Sequence, residues 1–160
     1  MRSHADQTTP TILFLCSGNY YRSRFAELLF NGLASTRGCG WIAESRALCL
    51  ERGSCNVGPY APEVPLTLRE HGVEPPAHPR MPLQVTTSDL RAAGLVVALC
   101  EREHRTLLAQ RFPEWENGVE YWHIEDKAVT PAARALPQIV QCVEQLLARL
   151  TEASVPVSRG

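Results

Sequence analysis

A continuous apolar run, Ile12-Leu13-Phe14-Leu15, interrupts a polar N-terminal stretch and ends at Cys16. A short run of this kind predicts a strand buried on both faces of a sheet. After Gly18 the period changes: Phe25, Leu28, Leu29 and Leu33 recur at i, i+3, i+4 and i+8, the apolar face of a helix starting at Ser23 and closed by Gly38 and Gly40. Residues 41–45 read as a second, short strand. Residues 46–62, with Gly53, Gly58 and Pro59, read as an irregular segment of the length that often carries function. A helix is expected over 62–71, with prolines in its first turn and Gly72 as its stop. The proline-rich 74–82 is a connector, and Thr87 or Ser88 caps a short helix through Ala93. Leu95-Val96-Val97-Ala98-Leu99 is the next strand, 101–112 a helix closed by Pro113, and 119–124 a fourth strand. Leu136, Ile139, Val140, Val143, Leu146, Leu147 and Leu150 form a helical stripe, placing the last helix from about Pro137.

The alternation of strands and helices predicts a single α/β domain, a four-stranded parallel sheet with helices on both faces. Its expected limits are 11–150, with tails at 1–10 and 151–160. In this architecture ligands sit beyond the carboxyl ends of the strands, which is where the turn after Cys16 falls. Neither G-x-G-x-x-G nor G-x4-G-K-S/T occurs, so the two commonest phosphate loops of such sheets are absent.

Composition narrows the function classes. With 16 Lys and Arg against 17 Asp and Glu, the net charge is −1, which argues against nucleic acid or an anionic membrane as main partner. The six cysteines show neither C-x2-C nor zinc-finger spacing with histidine, as expected in a reducing compartment. Residues 1–10 lack the apolar core of a signal peptide, and no apolar run reaches the ~18 residues of a membrane span. Cytoplasmic residence is therefore expected, with no cofactor or metal, and the oligomeric state is left open.

The loop after the first strand carries the chemistry. If a strand ends at Cys16 and a helix begins near Ser23, the residues between wrap around a helix start and aim backbone N–H groups at one point, an anion cradle. Gly18 and Asn19 are residue types that tolerate positive φ. The helix dipole and the Arg22 guanidinium both favour a charged sulfur at Cys16, and a thiolate facing an oxyanion site is a nucleophile for phosphoryl groups. Arg22 can grip two phosphate oxygens with its planar fork. Backbone groups of Ser17, Gly18, Asn19, Tyr20, Tyr21 and Arg22 would then hold transition-state charge. The spacing C-x5-R is common by chance. Of the six cysteines, however, Cys16 alone has arginine six positions on, and it also sits between an apolar strand and an amphipathic helix. Phosphoryl transfer also needs a general acid. Of three aspartates, Asp6 lies in the tail and Asp89 suits a helix start, leaving Asp126, after the fourth strand, with Glu125 in reserve.

Cys16-Ser17-Gly18-Asn19 followed by Arg22-Ser23 resembles the phosphate loop of low-molecular-weight protein tyrosine phosphatases. Trp122-His123-Ile124-Glu125-Asp126 resembles their acid-bearing segment, and the resemblance extends over most of 11–150. It implies a phosphomonoesterase acting on a phosphorylated protein or small phosphate ester through a cysteinyl phosphate, with Cys16 as nucleophile, Arg22 as clamp and Asp126 as acid, then base. It also implies that Asn19, Ser23, Ser45 and His71 buttress the loop. Three positions depart from the family pattern: Lys127 stands where proline follows the acid, Tyr21 where many members carry a second cysteine, and Ser17 where tyrosine phosphatases carry an aliphatic residue. The last is closer to the arginine phosphatases and arsenate reductases. A thiol-dependent arsenate reductase is thus one alternative, with Cys100 matching its second cysteine but Leu107 in place of the third. A phosphate-binding pseudophosphatase is the other.

Overall fold

The computed structural model describes residues 8–154; of the expected tails at 1–10 and 151–160, residues 1–7 and 155–160 lie outside the described residues. Four parallel strands form one sheet in the order β2-β1-β3-β4: β1 (Thr11–Cys16), β2 (Ile42–Ala47), β3 (Leu95–Ala98) and β4 (Glu120–Tyr121). The helices are α1 (Arg22–Arg37), α2 (Glu63–Glu70), α3 (Thr87–Ala92), α4 (Glu101–Arg111) and α5 (Ala132–Ser154). This is the fold class expected from the alternation of apolar patterns.

Strand β1 is apolar from Ile12 onward because both sides of it are covered. Ile12, Phe14 and Cys16 point into the cluster formed with α1, α2 and α5, and Leu13 and Leu15 into the cluster formed with α3 and α4. Strand β2 is at the edge and reads differently. Its buried positions are the small Ala43, Ser45 and Ala47, and Ile42 is 52% exposed. On α1 the buried face is wider than the expected stripe. Phe25 and Leu29 are joined by Ala26 and Phe30, with Leu28 and Leu33 at the margin.

Several boundaries differ from those read in the sequence. Strand β2 continues two residues past Ser45. Strand β4 shrinks to two residues, although Trp122 N–H still donates to Ala98 O at 2.9 Å and Ile124 N–H to Leu99 O at 2.8 Å. The cap of α3 is Thr86, not Thr87 or Ser88: its hydroxyl accepts from Asp89 N–H at 3.1 Å, and the Asp89 carboxylate accepts from Thr86 N–H at 2.9 Å. Helix α5 starts at Ala132 and carries Pro137 inside it. The sequence reading put Pro137 at the helix start because proline suits a first turn. The buried stripe through Ala135, Leu136 and Ile139 instead holds the extra turn, and Pro131 O accepts the N–H groups of Arg134 and Ala135 at 2.9 Å. The helix runs to Ser154, so the boundary drawn at Leu150 falls inside it.

The sheet positions the site simply. The central strand β1 ends at Cys16, its neighbour β3 ends just before α4, and β4 leads into the segment bearing Asp126. All three carboxyl ends open on one edge.

Candidate active site

The loop between β1 and α1 is fixed from outside by its carbonyls. Cys16 O accepts from Leu48 N–H at 2.8 Å, Ser17 O from Cys49 N–H at 2.9 Å, and Tyr20 O from Ala61 N–H at 2.9 Å. In a trans peptide the C=O and the following N–H point opposite ways. These bonds therefore turn the N–H groups of Ser17, Gly18 and Tyr21 away from the outer strand and loops. Among the described residues, no backbone N–H from Ser17, Gly18, Asn19, Tyr20 or Tyr21 donates to a protein acceptor. A buried loop with a run of unpaired donors is built for an anion. Positive φ occurs at Asn19 (53°) and not at Gly18. Gly18 sits instead against Asn56 and Gly53, where an added Cβ would meet ordinary contacts at 3.6 and 3.7 Å, respectively.

Asn19 is fully buried and uses its whole amide. Its Nδ2 donates to Ser23 Oγ at 2.9 Å and Ser45 Oγ at 2.8 Å, and its Oδ1 accepts from Arg80 Nη1 at 3.0 Å and Leu83 N–H at 3.2 Å. Ser23 Oγ also lies 2.9 Å from Cys16 Sγ. Because Asn19 already donates to Ser23 Oγ, the Ser23 hydrogen is free to point at the sulfur and stabilise a thiolate. Beneath this lies a part-buried ionic layer. Arg80 Nη2 reaches Ser45 O at 2.7 Å and Glu27 Oε1 at 3.1 Å, and Arg24 Nη1 reaches Glu27 Oε2 at 3.1 Å.

Arg22 is 2% exposed and held end-on. Its Nη1 donates to Glu103 Oε2 and to Ile124 O, each at 2.9 Å, and its Nη2 donates to Glu103 Oε1 at 2.9 Å. Its Nε has Asp126 Oδ1 at 3.9 Å, beyond hydrogen-bond range. The Nε edge is thus open while the far end is clamped. Burial would lower the Arg22 pKa, but the Glu103 bonds and the charges of Cys16, Glu103 and Asp126 outweigh it and hold the guanidinium above its usual range. Burial would likewise raise the Glu103 carboxyl; hydrogen bonds from His104, Arg22 and Ser17 hold it well below the usual carboxylate range. His104 is fully buried. Its Nδ1 accepts from Cys100 N–H at 3.0 Å, so the neutral ring carries its proton on Nε2, 3.3 Å from Ser17 Oγ. Burial lowers its pKa below the ordinary histidine value, with Glu103 opposing in part. Ser17 Oγ in turn donates to Glu103 Oε1.

A cavity of about 300 Å³ opens over the loop, lined among others by Cys16, Tyr20, Tyr21, Arg22, Asp126 and Lys127. Asp126 reaches it from a segment anchored by Trp122, whose ring centroid lies 5.5 Å from that of Phe14 on β1. Glu125 does not line the cavity; its carboxylate lies 3.9 Å from Arg102. Among the described residues no group of three or more His, Cys, Asp or Glu side chains is placed to hold a metal ion.

Cys16, Ser17, Gly18, Asn19, Tyr20, Tyr21, Arg22 and Asp126 are therefore brought together, with Ser23 and Ser45 behind Asn19. His71 is not among them. It ends α2, exposed, beside a groove formed by α2 and α5, and Arg80 makes the bond to Asn19 that a buttressing residue would make. Glu103, His104 and Arg80 escaped the sequence reading. The signal for the first two was available: a Glu-His pair in the first turn after a strand that borders the loop strand.

A family model described as "Low molecular weight phosphotyrosine protein phosphatase" matches residues 11–156. A Sus scrofa protein of that description is 30% identical over 106 residues, 64% of this chain and 63% of its own length. Among solved structures, a low molecular weight protein tyrosine phosphatase from T. tengcongensis is 24% identical with a TM-score of 0.70, covering 90% of this chain and 99% of its own. Vibrio vulnificus Wzb, solved with benzylphosphonate, is 18% identical with a TM-score of 0.72, covering 88% and 99%. No helix among the described residues is long and apolar enough to cross a membrane.

Proposed function

The chain belongs to the low molecular weight phosphotyrosine protein phosphatase family, and from that membership we propose that it is a phosphomonoesterase working through a cysteinyl phosphate. The observation that carries the reading is the loop itself: a thiol beside a serine hydroxyl, under unpaired N–H groups, next to an arginine whose Nε edge is open. A phosphate ester would sit between the loop N–H groups and the Nε and outer Nη2 hydrogens of Arg22. Glu103 holds the other end of the fork and receives no loop N–H, so it sets the direction of Arg22 and leaves the cradle to substrate.

In the first step Cys16 Sγ attacks phosphorus, the P–O bond to the leaving group breaks, and Asp126 gives its proton to the departing oxygen. In the second, the Asp126 carboxylate takes a proton from water, the water oxygen attacks phosphorus, and the S–P bond breaks to release phosphate and the thiolate. The charge spread over the equatorial oxygens is held by the loop and Arg22.

The substrate is a phosphorylated protein side chain, tyrosine-like, or a small aryl phosphate. Wzb was solved with a benzylphosphonate, an aryl-bearing ligand of this shape, and Tyr20 and Tyr21 line the cavity here. A thiol relay for arsenate reduction has little support. Cys100 is buried, lines no part of the cavity and spends its N–H on His104, and Leu107 is buried on α4.

The test is hydrolysis of p-nitrophenyl phosphate by the wild type and Cys16→Ser. The wild type should turn over, with arsenate and phosphate as competitive inhibitors. Cys16→Ser should be inactive yet still bind phosphate, since the cradle is backbone. Turnover retained in Cys16→Ser would overturn the covalent mechanism.

A further inference from the structure

We propose that the ion pair between Lys127 and Glu63 is a clasp that positions Asp126 over the loop, with Lys127 acting as a positioning residue; this rests on the phosphatase reading above. The chain is well tied as far as Ile124, whose N–H donates to Leu99 O at 2.8 Å and whose carbonyl accepts from Arg22 at 2.9 Å. Beyond it the chain turns in the open. Asp126 O accepts the N–H groups of Val129 and Thr130, both at 2.9 Å, which shapes the turn but does not tie it to the body of the protein. The Asp126 side chain is 52% exposed and makes no hydrogen bond among the described residues.

Besides Asp126, whose Oδ1 lies 3.9 Å from Arg22 Nε, two side chains cross from this turn to other elements. Glu125 lies 3.9 Å from Arg102, which is 85% exposed, a loose pair in water. Lys127 is held on two sides: its Nζ lies 3.1 Å from Glu63 Oε2 and 3.4 Å from Oε1, and 4.9 Å from the centroid of the Tyr21 ring. Both supports are firm. Glu63 opens α2, which is seated by the fully buried Val64 and Leu68, and Tyr21 belongs to the phosphate loop and is itself buried. One ammonium therefore links the turn carrying the acid to α2 and to the loop carrying the nucleophile. The adjacent residue, Asp126, is what that link places: its proton must reach the leaving oxygen as the P–O bond breaks and the S–P bond forms.

Lys127 also lines the cavity, so a direct contact with substrate phosphate is the competing role. Glu63 separates the two, because it touches Lys127 but does not line that cavity. If Lys127 served phosphate directly, removing Glu63 would leave binding intact or improve it.

The experiment measures kcat/KM for aryl phosphates whose leaving groups run from p-nitrophenol to phenol, with inhibition by inorganic phosphate alongside. The proteins are the wild type, Lys127→Ala, Lys127→Arg, Glu63→Gln, Lys127→Glu, and the exchange Lys127→Glu with Glu63→Lys. Lys127→Ala and Glu63→Gln should each lower kcat/KM for phenyl phosphate about three- to tenfold, the size an exposed ion pair with a cation–π contact supports. The loss should be smaller for p-nitrophenyl phosphate, which depends less on an acid, and the inhibition constant of phosphate should not change. Lys127→Arg should keep wild-type behaviour, and the exchange should recover activity lost in Lys127→Glu. The clasp is overturned if the loss is equal for all leaving groups, if phosphate inhibition weakens in Lys127→Ala while Glu63→Gln is harmless, or if the exchange is no better than Lys127→Glu. A wild type that hydrolyses none of the series would instead overturn the phosphatase reading on which the clasp rests.

Discussion

Arg22 is 2% exposed, with both terminal nitrogens bonded to Glu103, whereas Asp126, 3.9 Å from it, is half exposed and its carboxylate makes no hydrogen bond among the described residues. Both line one cavity, yet they are held in different ways. The phosphate side is set by buried and part-buried hydrogen bonds running from Glu103 and His104 above to Asn19, Ser45 and Arg80 below. The acid side is set by a turn and an exposed ion pair. Hydrogen-bond networks largely shielded from water fix one geometry; an exposed turn can adapt. A phosphatase with this division would grip every phosphate in the same way and leave proton transfer sensitive to substrate and conditions.

The most damaging change should be on the rigid side. Arg22→Ala removes the fork and leaves the part-buried Glu103 without its arginine partner. We expect kcat/KM for p-nitrophenyl phosphate to fall at least about 10³-fold, the lower range for an arginine that stabilises phosphoryl transfer. Phosphate inhibition should be lost with it, which a binding assay with inorganic phosphate checks. Asp126→Asn should be selective where Arg22→Ala is general. It should cost about 10²–10⁴ in turnover, most for poor leaving groups, while phosphate still binds. If Glu125→Gln proved the harmful change and Asp126→Asn mild, the roles of the adjacent carboxylates would have to be exchanged.

Asn19→Ala tests whether the lower network holds the loop. It takes one partner each from Ser23, Ser45 and Arg80 and leaves the Leu83 N–H without its acceptor. Urea unfolding should show a loss of about 1–3 kcal/mol, the cost of a buried group left unpaired. A loss no larger than that of an exposed substitution would mean that the loop stands without it.

The smallest effect concerns pH. His104 is held below its ordinary pKa by burial, so as pH falls below about 6.5 the unfolded chain takes up a proton that the folded one refuses, and stability declines. Glu103 acts lower. Its carboxyl is depressed in the fold, so its contribution is complete above about pH 4.3 and is lost as pH falls through the depressed value. His104→Asn should remove the decline just below pH 6.5 and keep the one at lower pH; a wild-type slope in His104→Asn would contradict the burial argument.

What could be read from the sequence follows the same division. The Cys16 loop is contiguous, so strand, glycine turn, arginine and helix period stand side by side, and its sheet follows from the four apolar patterns. Glu103 meets Arg22 from 81 residues away and Arg80 meets Asn19 from 61, on segments that read as a solvated helix start and a proline-rich connector. The Glu103-His104 pair after a central strand is a local hint for the first, whereas nothing local marks Arg80 as reaching beneath the loop. His71 was the opposite case: a polar residue in a suggestive place that the fold leaves at an exposed helix end. The start of α5 was masked by Pro137, because the sequence shows the proline's preference but not the packing that overrides it.

The central claim is that phosphate passes through Cys16. Mixing the protein with p-nitrophenyl phosphate, quenching in acid within the first turnover and mapping the digest by mass spectrometry tests it directly. The account predicts one phosphoryl group on the peptide carrying Cys16, more of it in Asp126→Asn if the carboxylate activates water, and none in Cys16→Ala. Turnover with no phosphorylated Cys16 at any quench time, in either the wild type or Asp126→Asn, would contradict it.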